Sequence, residues 1–597
     1  MRPYLLLLLL SLSFSVTSPC VPLLSDQRLL FKRFNAEPQS MWTPTFPPAH
    51  SSRQLPPPAR TPSAQPHPSH HTTASPEGVR VRSSATFVKL LGPVGHHRCS
   101  LSVRLGSFGD QYDAHRAVWL GGVELLRTST AEPTDSGIFW RVKKDVTKYR
   151  SVFEKPNNLS MMLENLVNEE FTGVYHCNLT VEFYPDDGDD DEGYVARRMN
   201  REVISLPKEK EMAGDDEPAD LILPISNLSP ENGYWFRIQN KSDDVHSMNV
   251  TIPMNAYRAV LEVYVSYHSN DEFWYSNPPD SYIEQNNLTT RRGNGAFRRV
   301  FATIDGKLVG AVVPFPVIFT GGINPLFWSP VVAIGAFNLP SYNLDITPFL
   351  GLLLDGDPHE FALNVTDGIS FWLVDANLHL WLDSESTSVA AKLVQYIAPP
   401  LSISRTSKFF HLNGTFKIDT GSKFHFTGWV NSSFGNLTTD INHKLKFKHL
   451  LVFLKDGNYT EVHVKAKVKM GVRVIKPSGL LLSQRAHKYK YPLMIMSSTL
   501  AGENNTYTMN TSLSHTLYEE NLSLHGDKVL SAKVLSDSQN ADGWMLVQDH
   551  NVLSGSAATK QSYKYKSNEG CYNRKVTAED GEILEDTKTT VCPPPPS

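Results

Sequence analysis

Cysteine is scarce in this chain. There are five in 597 residues, and no two stand in a Cys-X-X-Cys spacing. That argues against a zinc ribbon or a thioredoxin-type redox centre. An excess of charge is equally lacking, with 57 Lys and Arg against 61 Asp and Glu and a formal net charge of -4. Nucleic acid is therefore not an expected partner, since phosphate binding draws on a large positive field. No Gly-X-X-X-X-Gly-Lys-Ser/Thr, no Gly-X-Ser-X-Gly and no His-Glu-X-X-His occurs, which leaves little for ATP chemistry, serine hydrolysis or zinc proteolysis. The histidines are scattered mostly singly, so neither a metal nor another cofactor is expected.

Long apolar runs are also few. The first spans Leu5 to Val16 behind Arg2, with small residues at Ser15 and Ser18. Its length and flanks fit a secretory signal peptide over residues 1–18 rather than a membrane span. Leu308 to Phe319, broken by Pro314 and Pro316, reads as a buried strand. No membrane anchor is expected. What the chain has in abundance is Asn-X-Ser/Thr, headed by Asn158, Asn178, Asn227, Asn240, Asn249, Asn287, Asn364, Asn413, Asn431, Asn436, Asn458, Asn504, Asn510 and Asn521. So many acceptors behind a leader point to a glycosylated protein of the secretory pathway, extracellular, apoplastic or vacuolar. In that compartment the four cysteines of the mature body should pair. Cys99–Cys177 and Cys571–Cys592 are expected, as neighbours in sequence.

Residues 19–84 are Pro-, Ser- and His-rich toward their centre, around Pro56-Pro57-Pro58, and read as a linker or pro-region. Beyond Ser84 the texture is of strands and turns. From Glu461 to Ile475 the residues Val462, Val464, Ala466, Val468, Met470, Val472 and Val474 alternate with mostly polar ones, the mark of an antiparallel strand with one wet face. Short helical turns are expected only near Leu163–Glu169 and Ser388–Ile397. The fold class is all-β, a tandem of antiparallel β-sandwiches, with units at 85–220, 221–420 and 421–597. The acidic run Asp186 to Glu192 lacks EF-hand spacing and reads as a solvated loop.

The chemistry on offer is carboxylates beside aromatics. Asp113 follows Tyr112 and precedes Trp119, and Glu272 stands in Asn270-Asp271-Glu272-Phe273-Trp274-Tyr275. Glu164 lies in Met161-Met162-Leu163-Glu164-Asn165-Leu166. A pair of acids can activate and orient a water without metal or covalent nucleophile. Trp119 and Trp274 could offer a face to a sugar ring or could equally be core. Periodicity does not choose among the acids.

The strings Thr128-Ser129-Thr130-Ala131-Glu132-Pro133 and Asn270 to Tyr275, with Tyr175-His176 and Leu373-Val374-Asp375-Ala376, resemble the plant and fungal peptide:N-glycanase A family. The resemblance runs from about residue 85 to the end. It implies two adjacent jelly rolls with acids at their junction and a C-terminal β region. The implied activity is a cofactor-free glycoamidase that converts the carrier asparagine to aspartate and releases a glycosylamine. N-glycosylated peptides or unfolded glycoproteins, core α1,3-fucose tolerated, are the implied substrates. By this resemblance Asp113 is the water-activating base, Glu272 an orienting or polarising acid and Glu164 a support. The family's Asp-Arg pair is replaced by Asp113-Ala114, with Arg116 two places on as a partial substitute and sugar contact. A glycan-binding protein without turnover and a glycoside hydrolase using the same acids are the alternatives.

Overall fold

In the computed structural model, residues 10–15, 32–33, 39–41, 79–90, 96–108, 115–132, 137–167, 173–185, 217–227, 233–240, 244–549 and 551–592 are described. The fold is almost entirely antiparallel β. The first unit has two sheets. One runs in the order Leu10–Ser15, Val174–Pro185, His96–Phe108, Ile138–Asp145, Gln39–Met41, and the other Val79–Leu90, Asn157–Val167, His115–Leu120, Val123–Ser129. Leu10–Ser15, within the stretch read as a leader, is thus an edge strand here.

The central unit repeats the plan. Leu221–Ile225, Trp372–Leu382, Ala256–Tyr267 and Ser341–Asp345 form one sheet, with Phe236–Ile238 also on Trp372–Leu382. Ser247–Thr251, Pro358–Thr366, Arg299–Ile304 and Lys307–Val312 form the other. The third unit is one large sheet, ten strands in line from Ala390–Ile397 to Glu582–Thr589, with Ser402–Phe410 added on Asn413–Ser432 and Lys32–Arg33, from the N-terminal stretch, on Asn551–Ser567. Its alternation follows the sequence, with Val462, Val464, Ala466, Val468, Met470, Val472 and Val474 all buried.

Three expectations are corrected. The boundary near residue 420 falls inside the strand Asn413–Ser432, which pairs with both Ala390–Ile397 and Ser402–Phe410. The third unit therefore starts near residue 390. The strand Val79–Leu90 of the first unit likewise begins ahead of the boundary at 84. Of the stretches read as helical turns, the described residues 163–167 and 390–397 are strand, within Asn157–Val167 and Ala390–Ile397. Cross-strand hydrogen bonding decides such short segments, and local propensity does not encode it.

Cys571 and Cys592 form the expected disulfide, tying the last strands to the tail. Cys99 and Cys177 do not pair: both are buried free thiols. They lie on adjacent strands, but Cys99 stands opposite Phe183 and Cys177 opposite Leu105. That register keeps the sulfurs apart by several residues, beyond the reach of a disulfide. Burial pushes both thiols up to about 12, so neither is a ready thiolate.

Candidate active site at the junction of the two sandwiches

The two sandwiches meet through a buried polar network rather than through apolar contact alone. Arg127, on the strand Val123–Ser129, grips Glu124 through Nε and Nη2 at 2.9 and 2.6 Å. It also reaches across to Asp375 at 3.0 Å and to the Leu373 carbonyl at 2.5 Å. Burial works against its charge, but Glu124 and then Asp375 outweigh it and hold it protonated. Asn377 receives the Glu124 amide and donates to the Glu124 carbonyl. Beside it Glu262 collects Lys148, Tyr149, Ser341, Asn377 and His379. Burial alone would raise that carboxyl, but Lys148 and His379 hold it well below the usual range. Breaking such a network leaves uncompensated buried charge, so it fixes how the two halves sit.

The strand Ala256–Tyr267 leaves this network and turns directly into the loop bearing Glu272. Asp271, one residue earlier, is fully buried and saturated. It accepts from Arg298 Nε and Nη2 at 2.9 and 2.6 Å, from the Ile369 amide and Trp372 Nε1 at 2.7 Å each, and from Asn277 at 3.2 Å. An acid with every lone pair engaged is an anchor and not a base. Behind the loop, Trp274 packs on Tyr267 and Phe447, and His449 hydrogen-bonds the Tyr275 carbonyl at 2.8 Å. Glu272 is thereby held at 8% exposure.

Around Glu272 stand groups with unused hydrogen-bonding capacity. Tyr275 Oη and Arg292 Nε are buried without a hydrogen-bond partner among the described residues. Arg292 is held by Ser276 Oγ at 2.9 Å, with its guanidinium 5.0 Å over the Phe273 ring. Burial depresses the Arg292 pKa and raises that of Tyr275, and Glu272 pushes both upward. Buried donors kept unsatisfied cost stability, and such a cost is retained at sites that await a polar ligand.

A second acid approaches from the first sandwich. Glu132 is buried, and its segment is pinned where Thr320 donates to the Thr130 carbonyl and Ser129 hydrogen-bonds Ala336. Gly321 lies against it. A Cβ there would come within 2.3 Å of Glu132 Oε2, and one on Gly322 within 2.9 Å of the Phe273 ring. Two glycines thus let the Glu132 and Phe273 segments close on one loop. Nothing in the local pattern around Glu132 shows that a loop about 190 residues on covers it.

Asp113 and Ala114 lie outside the described residues. Glu164 is on the strand Asn157–Val167, its backbone opposite Arg82, and its side chain lies outside the described set. Arg116 is fully buried with its guanidinium 4.0 Å over Tyr175, so it is not an exposed sugar contact. The two tryptophans are corrected as well. Trp119 is 1% exposed, packs against Tyr234 and Trp235 and donates to Asp375 at 3.0 Å, while Trp274 is 0% exposed. Both are core and offer no platform. None of the fourteen acceptor asparagines is buried. Among the described residues no group of three or more His, Cys, Asp or Glu is placed to hold a metal ion, and no helix is long and apolar enough to cross a membrane.

Residues 85–399 match the family model described as peptide N-acetyl-beta-D-glucosaminyl asparaginase amidase A. A curated relative from Prunus dulcis, peptide-N4-(N-acetyl-beta-glucosaminyl)asparagine amidase A, is 44% identical over 483 residues, 81% of this chain and 82% of its own length. Two solved structures overlap more loosely. PNGase F, a glycosylasparaginase from Flavobacterium meningosepticum, is 11% identical over 52% of this chain and 97% of that one, with a TM-score of 0.29. PNGF-II is 12% identical over 51% and 60%, with a TM-score of 0.30. At that overlap neither informs the site.

Proposed function

Because the chain belongs to the peptide N-acetyl-beta-D-glucosaminyl asparaginase amidase A family, we propose that it hydrolyses the amide joining an N-linked glycan to its carrier asparagine. Water adds to the side-chain carbonyl carbon, the carbon–nitrogen bond breaks, and aspartate and a glycosylamine leave. The observation that carries this is the Glu272 loop. It holds a carboxylate on an anchored turn beside the unsatisfied Tyr275 hydroxyl and Arg292 Nε. Those donors suit the carbonyl or the sugar hydroxyls, and preorganised donors stabilise charge that develops on oxygen. Asp113 is assigned the water-activating base, Glu272 the orienting acid, and Glu164 an outer support. Glu132 is added as a second acid approaching the same loop. N-glycosylated peptides and unfolded glycoproteins are the proposed substrates, met along the secretory route.

Mass spectrometry of a glycopeptide incubated with the purified protein tests the reaction. A bare peptide heavier by the change from asparagine to aspartate is expected. A peptide retaining one N-acetylglucosamine would instead mean a glycosidase, and an unchanged but retained glycopeptide a binding protein. Asp113→Asn and Glu272→Gln should each lower kcat by about 10²- to 10⁴-fold without impairing folding. Full activity in either variant removes that residue from the mechanism.

A further inference from the structure

On the third unit, four neighbouring strands, Asn413–Ser432, Gly435–Leu454, Tyr459–Ile475 and Leu481–Ala501, put lysines opposite lysines. One row runs Lys423, Lys444, Lys469, Lys488, a second Lys446, Lys467, Lys490, and a third pairs Lys448 with Lys465. Like charges directly opposite on one sheet face are destabilising, and here the clash recurs across register after register. Relief within the chain is slight. Asp419 reaches Lys448 at 2.8 Å and Glu520 pairs with Lys488. Lys423, Lys444, Lys446, Lys465, Lys467 and Lys469 are exposed and form no ion pair among the described residues. The neighbouring ammonium groups, Lys469 first, depress Lys467 below the ordinary lysine value. This arrangement sits on a chain whose net charge is -4.

Along the first row the face is hollowed. Gly471 stands opposite Ala486, and these small residues line a depression of about 640 Å³ with Lys423, Lys444, Lys469, Lys488 and the Glu520 that pairs with Lys488. That volume is in the range of ligand clefts, roughly 300–1,000 Å³. Neighbouring strands set the lysines about 4.8 Å apart across the sheet, and alternate residues set them about 6.8 Å apart along it. Such spacing suits a linear chain carrying one carboxylate on each sugar ring. Single-stranded nucleic acid would require a series of exposed aromatics to stack on, whereas the aromatic beside these rows, Tyr518, is half-buried and already covered by Lys488 and Lys490. A flat lipid surface does not enter a depression.

We propose that this face is a binding site for an acidic polysaccharide, a linear polyanion with a carboxylate on each sugar. It lies on the reverse of the strand whose inner residues Phe447 and His449 touch Trp274 and Tyr275 behind the Glu272 loop. A tethered polymer would leave the opposite side of the molecule available for glycopeptide.

The test uses the full-length protein and de-esterified polygalacturonate as probe. A neutral linear glucan, a single-stranded oligonucleotide and phosphatidylserine vesicles serve as comparisons. Polygalacturonate should bind best, with an affinity that falls steeply as salt rises, since each neutralised carboxylate releases a counterion. The triple variant Lys444→Gln, Lys467→Gln, Lys469→Gln should bind roughly tenfold more weakly with a shallower salt slope. Its thermal midpoint should hold or rise, and glycopeptide turnover without polymer should be unchanged. Lys564→Gln, on the strand Asn551–Ser567 outside the rows, should bind like the natural protein. Polygalacturonate held no better than the glucan, a preference for oligonucleotide or vesicle, or full binding by the triple variant would each overturn the proposal.

Discussion

At the scale of single residues, two adjacent acids have opposite fates. Asp271 and Glu272 are equivalent in any reading of local sequence. The difference arises because Arg298, Trp372 and the Ile369 amide, from distant parts of the chain, converge on the first and leave the second beside donors without partners. Asp271→Asn keeps the shape but strips the charge opposite buried Arg298. Loss of one partner from a buried pair costs about 3–5 kcal/mol. Denaturant unfolding should show that loss, and kcat should fall as well, since the Glu272 turn loses its anchor. A destabilisation below about 1 kcal/mol would mean that the ion pair is not what positions the turn. The same scale shows where sequence reasoning failed for Trp119 and Trp274. An aromatic beside an acid suggests a sugar platform, but only tertiary packing decides whether the ring is covered.

Elements were the more legible scale. The alternation from Glu461 to Ile475 returned a strand with its apolar members buried. Period-two patterning is imposed by the pleat itself and survives any tertiary context. The strand Ala256–Tyr267 shows the limit. Glu262, Tyr264 and Ser266 share the face opposite Leu261, Val263 and Val265, yet both faces are buried, because the second is the junction with the first sandwich. A polar face in sequence does not reveal whether water or a partner domain covers it. Nor does sequence reveal close approach between elements. Gly428, on the strand Asn413–Ser432, has no room for a Cβ, which would sit 2.4 Å from the Pro348 carbonyl oxygen and 2.7 Å from its Cα. The short 3₁₀ turn Thr347–Leu352 therefore lies backbone-to-backbone on the third unit. Gly428→Ala must push the two apart. Overpacking of this kind costs about 1–3 kcal/mol, to be read as a lower thermal midpoint, with faster amide exchange concentrated in that turn and the strand beneath it. An unchanged midpoint would show that the contact yields at no cost.

For the whole molecule, the question is how the third unit is fastened to the central one. Apolar packing contributes, but so does a row of buried polar groups on the inner face of the large sheet. Gln539 donates to the Val332 carbonyl at 2.7 Å and receives the Ile334 amide at 3.1 Å. Two residues away Asp537 is buried and accepts from Gln561 Nε2 at 2.8 Å, with Tyr563 nearby. Burial drives the Asp537 carboxyl up to about 7, against the smaller opposing pull of Gln561. The folded state binds the proton more tightly than the unfolded chain, so the stabilising contribution is complete below the unfolded value near 3.8 and is lost as pH rises through about 7. A displacement of that size corresponds to a change on the order of 4 kcal/mol. Asp537→Asn, which carries no titrating proton, should therefore gain stability relative to the natural protein as pH is raised from 4 to 8, with most of the relative gain complete by about pH 7. Urea unfolding of both proteins across that interval measures the difference. Parallel stability profiles would mean that Asp537 stays ionised in the folded state, and that water reaches the seam between the central sandwich and the sheet.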